Sequence, residues 1–510
     1  MTLELSVTQG RLRGHLDEGI PAFFGIPYGS NPSGELRFQA PLPAPPWSGV
    51  REASEFGPIA PQPAALGGFA IPGDPSEQSE DCLSLNVWTP SIDGPLLPVM
   101  FFIHGGSFTS GTGASLVYRG GVLAGEGNVV VVTINYRLGA LGFLGHAALQ
   151  GKNGSLGNFG LMDQVLALEW VRDNIASFGG DAKNVTIFGE SAGAMSVCAL
   201  LASPTANGLF HKAIVQSGPP VSHRRDQSLT RGDQLAEILG LTSPTRSDFE
   251  SIPAARFVEA VNEFSASTPE PGEVELPLLP TIDGVFLPGD PLSAIENGSV
   301  AHVPLMTGTT RDEMTMFSMG DPKVSQMGRE ELLHWLKFAL PGCDPESVLE
   351  AFISARTQRG EAVDPPALWV AMSTEAIFRA PTVHLAEAHS PHAAKTFLYL
   401  FTQETPIFGG ILGSCHALEL PFVFGSIRNE FVGLFSGNSP ESQELSEQMI
   451  AAWSSFARDG VPSVSGIWSE FDRSRRPTQI FGPEGGQVEN PRSEELDIVS
   501  AALQASQTGA

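Results

Sequence analysis

Between Asn128 and Ile134 the chain reads Asn-Val-Val-Val-Val-Thr-Ile, a β-branched run without polar alternation. A strand with one wet face alternates apolar and polar residues, so this run predicts a strand covered on both faces, as in a parallel sheet. Val99 to Ile103, Val185 to Phe188, Ala213 to Val215, Pro304 to Thr307 and Thr396 to Phe401 share the pattern. Helical periodicity lies between them. It is clearest from Leu161 to Phe178, where Leu161, Val165, Leu168, Val171, Ile175 and Phe178 recur at three- and four-residue steps before Gly179-Gly180 stops the run. Strands and helices alternating in this way predict an α/β fold with a doubly wound, mostly parallel sheet. Helical and Pro-rich stretches near 219–277 and 321–395 break the rhythm and are expected to be insertions capping the sheet. No repeat or long linker divides the chain, so residues 1–510 are expected to form one architecture.

Hydrophobic residues make up 42% of the chain and charged residues 17%, against roughly 25% charged in ordinary soluble proteins. A large buried core follows. Lysine and arginine number 29 against 56 acidic residues, a net charge of −27 with histidine neutral. Such a surface repels phosphate backbones and anionic lipids, so neither nucleic acid nor a membrane is an expected partner. The longest apolar stretches, such as Leu96 to Ile103, fall far short of the roughly 20 residues of a membrane span. Met1 to Val7 lacks the basic and apolar regions of an export signal and reads as a strand. Cys82, Cys198, Cys343 and Cys415 are too widely spaced for a C-x-x-C motif. Free thiols and a cytoplasmic location are expected, with no metal or cofactor.

Gly189-Glu190-Ser191-Ala192-Gly193 is a G-x-S-x-G sequence. Glycine is over a tenth of the chain, so chance alone supplies on the order of one such match. The flanks give it meaning: Asn184 to Phe188 is a strand before it, and Ala194 to Leu201 a good helix after it. Strand, sharp turn and helix form an elbow that exposes the serine hydroxyl. A partner feature is His104-Gly105-Gly106-Ser107-Phe108, whose glycines follow the strand Val99 to Ile103 and let main-chain N–H groups approach a substrate closely. The expected oxyanion donors are the N–H groups of Gly106, Ser107 and Ala192. A serine needs a base, and the base a carboxylate; composition leaves eleven histidines open for the role.

Several segments together resemble the type-B carboxylesterases, the α/β-hydrolase family that includes bacterial p-nitrobenzyl esterases and cholinesterases. They are Arg37-Phe38, Ser79 to Val87 with its Glu-Asp-Cys-Leu core, Asn135 to Gly139, Gly157-Asn158, Asp163-Gln164, Phe178 to Asp181 and Gln216-Ser217-Gly218. They occur in the family's order, and the likeness runs from about residue 5 to residue 490. The resemblance implies an α/β-hydrolase fold and a serine carboxylesterase with a catalytic triad. Gly413 to Gly425 resembles the family's catalytic-histidine segment, which makes His416 the base. Thr307 to Glu313 resembles the loop that carries the triad glutamate, which makes Glu313 the acid rather than Asp312. The order Ser191, Glu313, His416 is that of α/β-hydrolases. By the same resemblance His104 leads into the oxyanion loop without a catalytic role, and Arg37 with Glu80 and Arg137 with Asp163 form ion pairs that position loops. Ser217 either hydrogen-bonds the triad or caps a turn at a strand end.

Two departures narrow the expectation. Ala60 stands where eukaryotic relatives carry the partner of Cys82, so a non-disulfide, bacterial-type enzyme is implied. The loop between Ala60 and Cys82 has Phe69 as its only aromatic residue, which argues against the cation–π site of a choline-specific enzyme. The expected partner is a small or aryl ester, hydrolysed through an acyl-enzyme. A carbamate or amide hydrolase with the same triad is the alternative, and a non-catalytic adhesion protein the alternative of another class.

Overall fold

Among the described residues eleven strands form one sheet. In chain order they are β1 (His15–Asp17), β2 (Ile20–Pro27), β3 (Ser84–Trp88), β4 (Leu97–Ile103), β5 (Val130–Ile134), β6 (Gly180–Glu190), β7 (Lys212–Gln216), β8 (Leu305–Thr310), β9 (Thr396–Phe401), β10 (Pro477–Phe481) and β11 (Gln487–Glu489). Their spatial order is β11-β10-β9-β8-β7-β6-β4-β5-β3-β2-β1. The seven strands from β5 to β10 run parallel, and antiparallel strands flank them on both sides. The computed structural model describes residues 3–63, 77–266 and 276–508.

The unalternated runs have the expected cause. Val99, Phe101 and Ile103 of β4 enter one core, while Met100 and Phe102 enter the other; Val130 and Val132 of β5 likewise separate from Val131. On the first face lies helix α1 (Phe159–Asn174), whose last turn tightens into a 3₁₀ turn over Ile175–Phe178. Leu161, Leu168, Val171, Ile175 and Phe178 are all fully buried there, which accounts for the periodicity. Beside it lies α2 (Ala192–Ala202), whose residues from Ala192 to Leu201 are buried. On the second face, Met449, Trp453 and Phe456 of α6 (Pro440–Asp459) pack against Met100, Phe102 and Ile214.

A third core gathers the later helices. Val348, Leu349 and Phe352 of α3 (Pro345–Gln358) join Leu368, Trp369 and Met372 of α4 (Pro365–Ser373), Val383 of α5 (Ala380–His389) and Leu496 of α7 (Ser493–Thr508). Between α4 and α5 the chain widens into a π-turn over Thr374–Arg379. Glu4–Val7 is a strand, as expected, but it pairs in a separate three-stranded sheet. Among the described residues no helix is long and apolar enough to cross a membrane.

Candidate active site

Ser191 sits where β6 ends and α2 begins, with φ 56° and ψ −126°. A non-glycine residue held there is strained, as a nucleophile elbow requires. The flanking glycines have a steric reason: a Cβ at Gly193 would overlap the carbonyl oxygen of Ile103, and one at Gly189 would stand 2.5 Å from the carbonyl carbon of Gly193. The Ser191 N–H donates to Gln216 O at 2.9 Å and anchors the turn to β7.

Glu313 follows β8 and is completely buried. Its Oε1 accepts from Ser217 Oγ at 2.6 Å and from the Thr310 N–H at 2.8 Å. Its Oε2 lies 2.5 Å from His416 Nδ1. Ser217 therefore bonds the glutamate rather than merely capping a turn. Asp312 points elsewhere: its Oδ2 accepts from the Ser414 N–H at 2.8 Å and from Arg311. The Asp312 N–H also donates to Ser414 O at 2.9 Å, so Asp312 clamps the glutamate loop to the histidine loop.

The ring nitrogen of His416 that should face the serine faces Glu190 instead. Nε2 lies 3.0 Å from Glu190 Oε1, an ion-pair contact without hydrogen-bond alignment, and Ser191 Oγ makes no hydrogen bond to His416 among the described residues. Catalytic hydrogen bonds of this kind commonly tighten only with substrate bound. Burial alone would lower the His416 pKa, but Glu190 and Glu313 outweigh it and hold it well above the usual histidine value. Burial raises Glu190 in turn, against the lowering effect of His416.

A further carboxylate stands behind this pair. Glu419 is fully buried, its Oε1 accepting from Gln216 Nε2 at 3.0 Å, while Trp453 Nε1 donates to Gln216 Oε1 at 3.0 Å. Burial, with Glu190 and Glu313 nearby, pushes the Glu419 carboxyl up to about 8. Sequence reasoning passed over both Glu190 and Glu419. Their signals were a glutamate at the variable position of G-x-S-x-G and another three residues after the histidine.

Gly106 and Ser107 follow β4, and Ala192 is the first residue of α2, where helix N–H groups are free. Neither the Gly106 nor the Ser107 N–H donates to another described group. Ser107 has φ 57°. His104 stacks on Tyr136 with ring centroids 4.5 Å apart, its Nδ1 lies 2.8 Å from Gly105 O, and burial brings its pKa down to about 4, so the ring is neutral. Arg137 and Asp163 form a buried pair, Nε to Oδ2 at 2.8 Å. Arg37 pairs with Glu80 and also donates to Glu250 O at 2.9 Å and Ile252 O at 2.6 Å. The Arg137–Asp163 pair is fully buried and the Arg37–Glu80 pair half-buried, so both are structural ties rather than solvated surface charge.

A serine on a strained elbow and a buried histidine–glutamate pair can together perform acyl transfer. The model of the carboxylesterase family matches residues 2–498. The chain belongs to that family. As a carboxylesterase it is a carboxylic-ester hydrolase of α/β-hydrolase fold, and its substrates are small-molecule esters. It is 36% identical over 498 residues to the para-nitrobenzyl esterase of Bacillus subtilis, covering 97% of this chain and 98% of that one. It is 34% identical over 494 residues to the phenmedipham hydrolase of Pseudarthrobacter oxydans, covering 94% and 95%. A crystal structure of a Geobacillus stearothermophilus carboxylesterase superposes with a TM-score of 0.85 at 36% identity, covering 98% of this chain and 99% of that one. As in the bacterial type expected, Cys82 is a buried free cysteine. Phe69, on which the argument against a choline site turned, lies outside the described residues.

Proposed function

We propose that Ser191 is the nucleophile, His416 the general base and acid, and Glu313 the carboxylate that fixes the imidazole tautomer. The observation that carries this reading is the 2.5 Å contact between Glu313 Oε2 and His416 Nδ1, which leaves Nε2 as the only ring nitrogen for proton transfer. Ser191 Oγ attacks the ester carbonyl and passes its proton to Nε2. The oxyanion is received by the N–H groups of Gly106, Ser107 and Ala192. Nε2 then returns the proton to the departing alkoxide, the alcohol leaves, and an acyl-serine remains. Water, deprotonated by the same nitrogen, attacks the acyl carbon; the bond to Ser191 Oγ breaks, Nε2 returns the proton to that oxygen, and the acid is released.

Small and aryl esters are the proposed substrates. Carbamates are the second reading, favoured by the likeness to a phenmedipham hydrolase. The segments near 219–277 and 321–395 are read as cap insertions of a single hydrolase unit. The four free thiols suit a reducing, cytoplasmic setting, and the net charge of −27 suits an enzyme without nucleic-acid or membrane partners. A panel of p-nitrophenyl esters, aryl carbamates and anilides tests the substrate reading. Turnover of esters over anilides is the expected result, and faster turnover of anilides would overturn it.

A further inference from the structure

Beside the triad lies a cleft of about 650 Å³ that neither Ser191 nor His416 lines. It nevertheless shares walls with both catalytic loops: Arg311, Asp312 and Thr315 flank Glu313, and Gly410 to Gly413 lead to His416. Its volume is that of an ordinary small-molecule site. Much of the lining is apolar, with Met319, Val324, Val370, Ala371 and Leu412 contributing.

Most charged groups in the wall are ion-paired, and Asp364 caps α4 by accepting from the Ala367 N–H at 3.3 Å. Arg311 binds Asp312 and Glu404, Arg356 binds Glu361, and Arg492 binds Glu361 and Glu495. Glu375 is different. The residue is 3% exposed, its Oε1 accepts from Arg379 at 2.7 Å, and its Oε2 is buried without any partner. Leaving such an acceptor unmet is costly, so the site calls for a hydrogen-bond donor. In the surrounding cluster Arg356, Arg359, Arg379 and Arg492 face Glu361, Glu375 and Glu495, so the charge of Glu375 is met and its Oε2 lacks only a hydrogen-bond donor. Burial raises the Glu375 carboxyl, and a hydroxyl, which both donates and accepts, serves either protonation state.

We propose that this cleft is a second ligand site, separate from the ester site, for an apolar alcohol or phenol whose hydroxyl donates to Glu375. Its occupant is placed to alter turnover. Glu375 belongs to the π-turn Thr374–Arg379, whose Thr374 Oγ1 accepts from the N–H of Met314 at 3.2 Å, next to Glu313. Phe378 of the same turn packs with its ring centroid 5.0 Å from that of His416. Hydrolysis of aryl esters releases alcohols of this class, so the site would answer to product; this kinetic consequence rests on the ester-hydrolase reading, whereas binding does not.

The test uses the full chain with 1-naphthol as probe and 1-methoxynaphthalene, which lacks the donor, as control. Ala371→Phe fills the cleft, and Val370→Phe fills it from a neighbouring position should the first variant fold poorly. By equilibrium dialysis the wild type should bind one equivalent of 1-naphthol more than either filled variant, and that equivalent should be about tenfold or more weaker for the ether. In ester assays, 1-naphthol should lower kcat at saturating ester in the wild type and leave kcat unchanged in the filled variants. Identical dialysis isotherms for wild type and variants, or equal binding of ether and naphthol, would overturn the site even in a protein that hydrolysed no ester. Purely competitive inhibition in all of them would overturn its link to turnover.

Discussion

Nε2 of His416 stands 3.0 Å from Oε1 of Glu190, the residue immediately before Ser191. The nitrogen that should receive the serine proton therefore has a rival partner, and two carboxylates favour the charged imidazolium. Hydrolysis needs the neutral ring. Rate should rise with pH as His416 loses its proton, and replacing Glu190 removes one of the two charges that delay that loss. Glu190→Gln is thus expected to move the acidic limb of the kcat/KM profile to lower pH. A limb that stays in place, or moves up, would show that Glu190 does not govern the base.

The triad assignment makes a simpler demand. Ser191→Ala and His416→Ala should each lower ester turnover by roughly 10⁴-fold or more, with folding unchanged by thermal melt. Glu313→Gln should cost less than either, because Ser217 and the Thr310 N–H can still hold the side chain against His416 and the loop clamp is retained. Asp312→Asn should cost least, since an amide oxygen can still accept from Ser414. Steady-state kinetics of the four variants on one p-nitrophenyl ester decide the order, and near-wild-type turnover by a folded Ser191→Ala protein would end the reading.

Glu419 links the site to stability. Its folded pKa of about 8 lies above the roughly 4.3 of an exposed glutamate, so across that interval the folded state binds more protons than the unfolded state. Stability from this group is present below the unfolded value and is lost as pH rises through the folded one. Glu419→Gln should flatten the decline of Tm between about pH 5 and pH 8. A decline as steep in the variant as in the wild type would assign it to other groups.

At the oxyanion loop, backbone and side chain can be told apart. Ser107 has φ 57°, which glycine adopts freely and proline cannot. Ser107→Gly and Ser107→Ala should keep turnover within about tenfold, whereas Ser107→Pro, which also removes the N–H, should lose roughly 10²-fold or more. If Ser107→Ala loses nearly as much as Ser107→Pro in the same assay, the hydroxyl itself is the donor.

The framework was legible because its causes are local. Runs such as Val130–Ile134 state in their composition that both faces are covered, and the Leu161–Phe178 periodicity states which face a helix buries. The elbow was legible from a strand, a glycine-bounded serine and a helix in sequence. His416 and Glu313 needed the family resemblance, because nothing within a few residues of either says which of eleven histidines meets which acid. Glu190 and Glu419 escaped for the same reason, and of the two readings left open for Ser217 only the folded chain selects the bond to the glutamate. Their importance comes from the ends of β6, β7 and β8 and the loop after β9 meeting in space, a relationship between residues about 100 to 230 positions apart that no local pattern encodes.

The parallel order of the sheet also imposes a schedule. Ser191 is made about 225 residues before His416, an interval of roughly 11 to 45 s at ordinary rates of synthesis. Through that interval the ribosome carries a serine with no base to activate it. Even once the histidine has emerged, the loop holding it docks on the end of β9, where Ser414 Oγ donates to Phe401 O at 2.9 Å. On the proposed triad, hydrolytic competence therefore waits for His416, and a chain that ends before it holds a serine without its base.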